Sequence, residues 1–405
     1  MLLTPEEGWR RLESHLAPLP AEWVPRRAAR GLVLAAPLAT LTDLPPTDVS
    51  AMDGYAFAGE VVAGDERRVD GRVAAGDRPG QLLAEGGALR IMTGAPVPLD
   101  ADRIAPFEWT DRGRETVRFA RAVPRGESIR RQAEVCRAGE PLLAAGQVLT
   151  PGVLSLLASQ GYERVPAPRR PSVAILATGD EVVAPEAVPA PGQLRDSHSD
   201  FLLAVLDALG VPAVSLGISR DDPEELAARV ANGLEHDLLL LCGGVSAGEL
   251  DLVGQALERA GCETIFDGLA MQPGKPLVVA RHARGLAFGL PGNPGSAMVA
   301  WWLFVRPALR RLLGHADRFW SGSLAAIAGE PIPRGKNRDR FLPARLRRTD
   351  GGLVATLVPS RGSHDLPSYA AAEALLRIAP GVDATPVGGI CDILPLPGAE
   401  SGRDR

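Results

Sequence analysis

Three short segments of this chain, ATGDE (177–181), CGGVSAGELD (242–251) and LPGNPGS (290–296), combine glycine with carboxylate or amide side chains in a way that suits a phosphorylated ligand. Gly243, Gly244, Gly248, Gly292 and Gly295 carry no Cβ to hold a ligand away from backbone amides. Helix starts after Ser246 and Pro294 would add positive dipole ends. Carboxylates lie in or beside the same segments: Asp180 and Glu181, Asp221 and Asp222, Glu249 and Asp251. Acids repel phosphates unless a divalent cation intervenes, so a bridging Mg2+ is expected, with Glu181, Asp221 and Asp251 as its candidate ligands. Asp222 stands apart, because Pro223 and Glu225 behind it make a capping box. Lys275, fixed between Gly274 and Pro276, suits an oxyanion as a point charge. Asp53, in DVSAMDGYAF, is a loop carboxylate that fits either a functional role or a turn closed on its own backbone. The arginines of GESIRRQAE fit a phosphate or a solvated face. His198 and His364 have no base or nucleophile in reach of a motif, and neither reads as catalytic.

The elements that must position these residues alternate strand and helix. SVAILATGDE reads as a buried strand, SDFLLAVLDALG as a helix, VPAVSLGIS as a strand, PEELAARVANGL as a helix and DLLLLCGG as a fully apolar strand. That order implies βαβ units and a mainly parallel sheet, whose ligands bind beyond the carboxyl ends of the strands. The three segments fall at such ends. Strands at KPLVVARH and GLAFGLPG then precede a helix around SAMVAWWLFVRPALRRLL.

Before this region, Thr4 and Pro5 open a helix running to about Leu16, and residues 41–138 turn to short β-prone runs broken by Gly and Pro. A second helix, capped by Thr150 and closed near Gly161, follows, and the two helices together would make the β region an insertion. After about Asp317, short β runs predict a small barrel or sandwich. The expected division is a discontinuous helical or linker domain (1–40 with 139–169), an inserted β-rich domain (41–138), a mainly parallel α/β domain (170–316) and a C-terminal β-barrel domain (317–405).

Composition agrees with a folded, multi-domain chain: 405 residues, 45% hydrophobic and 23% charged. A net charge of -5 argues against nucleic acid as a partner, so an anionic ligand must be held locally. The four cysteines are widely spread with no zinc spacing. The acidic N-terminus and the lack of a membrane-length apolar run point to a cytoplasmic protein with reduced thiols.

The motifs SAMDGYAF, MTGAPVP, TGDEV, GGVSAGELD, PGKP and LPGNPGSA, in this order, resemble the MoeA family, related also to the C-terminal domain of gephyrin. The resemblance implies a MogA-like α/β domain and an elongated homodimer whose active cleft lies between the α/β domain of one subunit and the inserted β domain of the other. It also implies an enzyme that inserts molybdenum from molybdate into adenylylated molybdopterin with Mg2+ and releases AMP. MogA-type and cofactor-accepting proteins are possible partners. Carried over residue by residue, the implied catalytic set is Asp53, Thr93, Glu181, Asp221, Asp251 and Lys275. Ligand-holding positions are Gly179, Gly243, Gly244 and Ser246, then Gly274 and Pro276, then Gly292, Asn293, Ser296 and Ser363. Several positions depart from the family pattern: Val135 where many members have Asp, Gly268 and Gln272 where some have Lys, and Pro343 where Arg is common. Arg340 or Arg345 stands near enough in sequence to replace that arginine, and His198 takes the place of the usual Asn. A MogA-type adenylyltransferase would share the α/β domain but not the inserted domain and barrel.

Overall fold

The computed structural model describes residues 2–245 and 252–397. Two compact units form: Met1–Val24, Gly31–Ala35 and Pro166–Arg405 in the first, Pro25–Arg30 and Ala36–Val165 in the second. The chain opens in the first unit with helix α1 (Pro5–Glu13), started as its sequence predicts by a reciprocal capping box between Thr4 and Glu7, with Trp9 and Leu12 buried.

The second unit is built on a sheet of β1 (Gly54–Phe57), β2 (Glu66–Val73), β3 (Ala88–Ile91), β4 (Arg103–Pro106) and β5 (Thr116–Arg118), in the order β4-β1-β3-β2-β5. One face packs Tyr55, Phe57, Ala88, Ala105 and Phe119. The other packs Ala56, Val73, Leu89, Ile91 and Ile104, so alternate residues of each strand feed two cores. Helix α2 (Pro151–Ser159) belongs to this unit; Thr150 caps it and Gly161 turns out of it at φ +83.

In the first unit the expected alternation is present: β6 (Val173–Thr178), α3 (His198–Ala208), β7 (Ala213–Ser219), α4 (Pro223–Gly233), β8 (Leu238–Cys242) and α5 (Leu252–Arg259). Then come β9 (Glu263–Asp267), β10 (Met271–Gln272), β11 (Val278–Arg281) and β12 (Leu286–Leu290). The sheet order is β7-β6-β8-β12-β11-β9, parallel through β12 and antiparallel at its last two strands. β6, β8 and β12 are buried along their whole length, as parallel strands covered on both faces must be. The apolar run after LPGNPGS is α6 (Pro294–Ala300), one π-helical turn (301–305) and α7 (Arg306–Leu312). Pro307 has no N–H for the carbonyl of Leu303, which removes an α-helical bond where the turn widens.

The remainder is a closed barrel of β13 (Leu324–Ala328), β14 (Asp339–Thr349), β15 (Gly352–Leu357), β16 (Ala374–Ile378) and β17 (Ile390–Pro395). Pairing runs β14-β15-β13-β17-β16 and returns to β14, while β10 adds to the edge through Met271 beside Asp339 and Gln272 beside Arg340. The sheet and the barrel are therefore tied by main-chain pairing. Among the described residues no helix is long and apolar enough to cross a membrane.

At the opposite, amino-terminal end of the sheet, Asp237 anchors two strand starts. Both of its oxygens accept from the Arg169 guanidinium, at 2.6 and 2.7 Å, and one also accepts from the Ser172 amide and hydroxyl. Burial alone would push this carboxyl up; the Arg169 fork and the Ser172 donors outweigh it and hold the pKa at about 2. A carboxylate so depressed stabilises the fold fully above its unfolded pKa, and that contribution, about 2 kcal/mol, is lost as pH falls from about 4 through about 2. Asp237→Asn is expected to cost about 2 to 4 kcal/mol in denaturant unfolding at pH 7, and to flatten the fall in stability between pH 4 and pH 2.

Candidate functional site

The carboxyl ends of β6, β8 and β12 turn away from the sheet through residues that the backbone itself selects. Gly243 (φ +97) and Gly244 (φ +65) lie in the left-handed region, and a Cβ on either would stand 2.8–2.9 Å from Thr178. Gly179 (φ +132) has the carboxylate of Glu181 in the space a side chain would take, 2.5 Å from an added Cβ. Gly292 meets the Cα of Gly243 at the equivalent of 3.7 Å, so the second and third loops touch.

These loops open on a cleft of about 690 Å3 within the first unit. Glu181 lines it from the end of β6, Val245 from beyond β8, and Gly292, Asn293 and Ser296 from the start of α6. Gly274, Lys275 and Pro276 line it from the turn after β10, and Arg338, Arg340, Ser360 and Ser363 from the barrel. Asn293 is the N-cap residue of α6, yet its side chain makes no capping bond. The barrel is docked on α6 at a point with no room for a side chain: the Gly295 N–H donates to the Ser363 carbonyl at 2.8 Å, and a Cβ on Gly295 would lie 2.3 Å from the Tyr369 ring. Burial pushes the Tyr369 phenol up to about 12, so it stays a neutral wall of the cleft.

The charge of the cleft follows from strand alternation. Asp339 is buried and bonded by Arg377, which also reaches Glu6; its neighbours Arg338 and Arg340 therefore face the other way, into the cleft. Burial lifts the Asp339 carboxyl despite Arg377 beside it. No ion pair joins Lys275, Arg338 or Arg340 to any described residue, and the Nε of Arg340 is buried without a partner. Three cations thus face one described carboxylate, Glu181. Such an uncompensated set attracts an anion and suits tetrahedral oxyanions in particular.

The cleft gathers most of the positions picked from the sequence, but not all. Asp221 is exposed beyond β7, outside the lining; its N–H donates to Asp180 Oδ1. Asp222 caps α4 by accepting from the Glu224 and Glu225 amides, as expected. Gly179, Gly243 and Gly244 form the turns behind the lining. Ser246 and Asp251, with Gly248 and Glu249, lie outside the described residues. Among the described residues no group of three His, Cys, Asp or Glu side chains converges as a metal site. His198 is half-buried, bonded to the main chain of Pro291 and held below the usual histidine range by burial. Arg340 lines the cleft, while Arg345 is exposed outside the lining. Arg338 went unnoticed in sequence; its spacing from Arg340 in NRDRF, two apart at the start of a β run, was the available signal.

In the second unit, Asp53 Oδ1 accepts from both the Thr93 amide (2.7 Å) and hydroxyl (2.8 Å), joining the ends of β1 and β3. These two bonds, with Arg90 nearby, hold the Asp53 carboxyl below the usual range, so it is ionised throughout the neutral region.

Three family models cover the chain: the MoeA N-terminal region (domain I and II) over residues 3–161, a probable molybdopterin binding domain over 174–311, and the MoeA C-terminal region (domain IV) over 325–396. A Mycobacterium tuberculosis protein named molybdopterin molybdenumtransferase 2 is 36% identical over 368 residues, covering 88% of this chain and 90% of that protein. A molybdopterin molybdenumtransferase of Synechococcus elongatus is 41% identical over 72% of this chain and 75% of its own length. The crystal structure of the molybdopterin biosynthesis MoeA protein from Pyrococcus horikoshii superimposes with a TM-score of 0.79 at 27% identity, covering 98% of this chain and 99% of that one.

The cationic lining predicts oxyanion binding that depends on charge. Lys275→Met, Arg338→Met and Arg340→Met are each expected to weaken sulfate binding about tenfold, the scale of one charged hydrogen bond. Calorimetric titration at low and high salt measures this; unchanged affinity in all three variants would remove the cleft as an anion site.

Proposed function

The chain belongs to the MoeA family of molybdopterin molybdenumtransferases, transferases of molybdenum cofactor biosynthesis, and from that premise we propose that it inserts molybdenum from molybdate into adenylylated molybdopterin and releases AMP. One observation carries this reading: a cleft walled by three glycine-rich strand ends and three cations that make no ion pair among the described residues, large enough for a phosphorylated ligand and an oxyanion together. Two anions brought side by side repel, and fixed cations set around them lower that cost before any bond is made. Lys275, Arg338 and Arg340 hold the anions in this reading. The Gly243 and Gly292 turns let the pterin phosphate approach the main chain, and Asn293, Ser296 and Ser363 orient it. An oxygen of molybdate attacks the pterin phosphorus and the P–O bond to the adenylate breaks with its electron pair leaving on AMP; the two dithiolene sulfurs then bond to molybdenum as its Mo–O bond to that phosphate breaks and a second oxygen leaves as water with the two thiol protons. No side-chain nucleophile is needed.

The carboxylates fit Mg2+, which binds through one or two of them and otherwise through water and ligand phosphate. Glu181 is held against Gly179 with its carboxylate at the cleft and would hold the ion there; Asp221 and Asp251 are the further ligands in this proposal. The ion would supply charge neutralisation between phosphate and molybdate. We further propose the four-part domain division given above, a cytoplasmic location, and a homodimer in which the inserted β domain brings Asp53 and Thr93 to the cleft of the other subunit. MogA-type and cofactor-accepting proteins are its proposed partners.

Purified chain mixed with adenylylated molybdopterin, Mg2+ and molybdate is expected to release AMP only when molybdate is present and to reactivate an apo molybdoenzyme. Asp53→Ala and Glu181→Gln should each lower that release by about two orders of magnitude or more while leaving the chain folded, with only the lost Thr93 bonds to lower the melting temperature of Asp53→Ala. Tight binding with neither product would identify a carrier instead, and wild-type turnover in both variants would take those residues out of the machinery.

A further inference from the structure

We propose that the second unit carries a phosphate site of its own, formed by Arg72 and Arg90 on the face of the sheet that ends at Asp53. Arg72 on β2 is the register neighbour of Arg90 on β3. The next pair in that register, Val73 and Ile91, is buried in one core, so Arg72 and Arg90 share the opposite face with Tyr55. Two guanidinium groups side by side on one face destabilise a sheet. An anion bridging them offsets that cost.

The surroundings hold Arg90 in place without neutralising it. Its guanidinium carbon lies 4.7 Å from the centre of the Phe107 ring, whose face attracts a cation but leaves its hydrogen-bonding edge open. Its Nε is buried and has no partner. Each nearby carboxylate is engaged elsewhere: Asp53 by Thr93, Asp111 by the Gly113 and Arg118 amides, and Glu108 by Arg112 at 3.7 Å. Arg112 also faces the Phe107 ring, at 5.9 Å, adding to the positive field there. No ion pair joins Arg72 or Arg90 to another described residue. By contrast Arg68, on the same strand, is paired with Asp70.

The group this arrangement fits is a phosphate monoester: doubly charged near neutral pH, with oxygens enough to meet two guanidinium forks. The identity of that phosphate rests on the function proposed above, which offers two sources, the pterin's phosphate and the adenylate's; the binding itself does not rest on it.

The test uses the full chain carrying Lys275→Met, Arg338→Met and Arg340→Met together, which removes all three cleft cations, titrated calorimetrically with inorganic phosphate and with AMP. One remaining site is expected, weakened about tenfold or more by Arg90→Gln and threefold to fivefold by Arg72→Gln, the latter at an exposed position where folding is not at stake. Equal affinity for phosphate and AMP would support a site that reads the phosphate alone, and tighter AMP binding would support the adenylate as its source. The absence of a site in the silenced chain, or binding unaffected by either arginine variant, overturns the proposal. If arginine-dependent binding is found in the silenced chain while the unsubstituted chain releases no AMP with molybdate, the phosphate site stands and the proposed reaction fails.

Discussion

A helix start and a barrel loop meet at Gly295 with no side chain between them, and the cleft depends on that approach. The Gly295 N–H reaches the Ser363 carbonyl only because the Tyr369 ring can lie where a Cβ would be. From this contact Ser363 and Ser360 come to face the glycine loops across the cleft. A second tie, β10 added to β14, brings the turn with Lys275 to the same space. Arg377, bonded to Asp339 and Glu6, then fixes which face of β14 is inward. The cleft is thus a product of packing between two sheets, and its charges are consequences of that packing.

The electrostatic consequence is that repulsion is built in before any ligand arrives. Lys275, Arg338 and Arg340 stand in one cleft with Glu181 as the described counter-charge. Water and salt screen such a set in the open protein, and a bound anion replaces that screening with direct contacts. The second unit uses the same device on a smaller scale, where Arg72 and Arg90 lie together on one face of a sheet. Against this, the acidic partners that do occur are engaged in the fold: Asp237 with Arg169 aligns strand starts, and Asp339 with Arg377 sets the start of β14. Among the described residues, such pairs hold strands in place while Lys275, Arg338 and Arg340 make no ion pair.

Much of this was legible in the residues. The fully apolar strands, the Thr4 and Thr150 caps, and the alternation of strand and helix follow from local chemistry, and each is found where its pattern put it. The glycine loops were legible because positive φ at Gly243 and Gly244 leaves few other choices. The barrel's share of the cleft was harder to see, since Arg338 and Arg340 flank Asp339 at the start of β14, more than sixty residues from β10's turn in the chain. Asp221, just after a strand, stands outside the lining for a reason the residues do not show either: its N–H donates to the Asp180 carboxylate beyond the strand end. Local pattern decides elements; which elements face each other is decided by contacts far apart in sequence.

The departures from the family pattern can be weighed on the same terms. Pro343 stands where the resemblance implies an arginine, and it also removes an N–H from the middle of a barrel strand. That second loss is tolerated because Pro343 sits where β14 passes from pairing with β16, over Arg340–Ala344, to pairing with β15, over Ala344–Thr349. The first is met by Arg340, three residues earlier on the same strand and in the lining, whereas Arg345 is exposed outside it. Gln272, beside Arg340 in register, then avoids setting two cations against each other at the barrel edge. A lysine at 272 together with Arg340 would recreate the like-charge contact that the exchange removes. With Gln272 uncharged beside Arg340 and Arg340 in the lining, the cleft keeps its cationic wall without an arginine at 343.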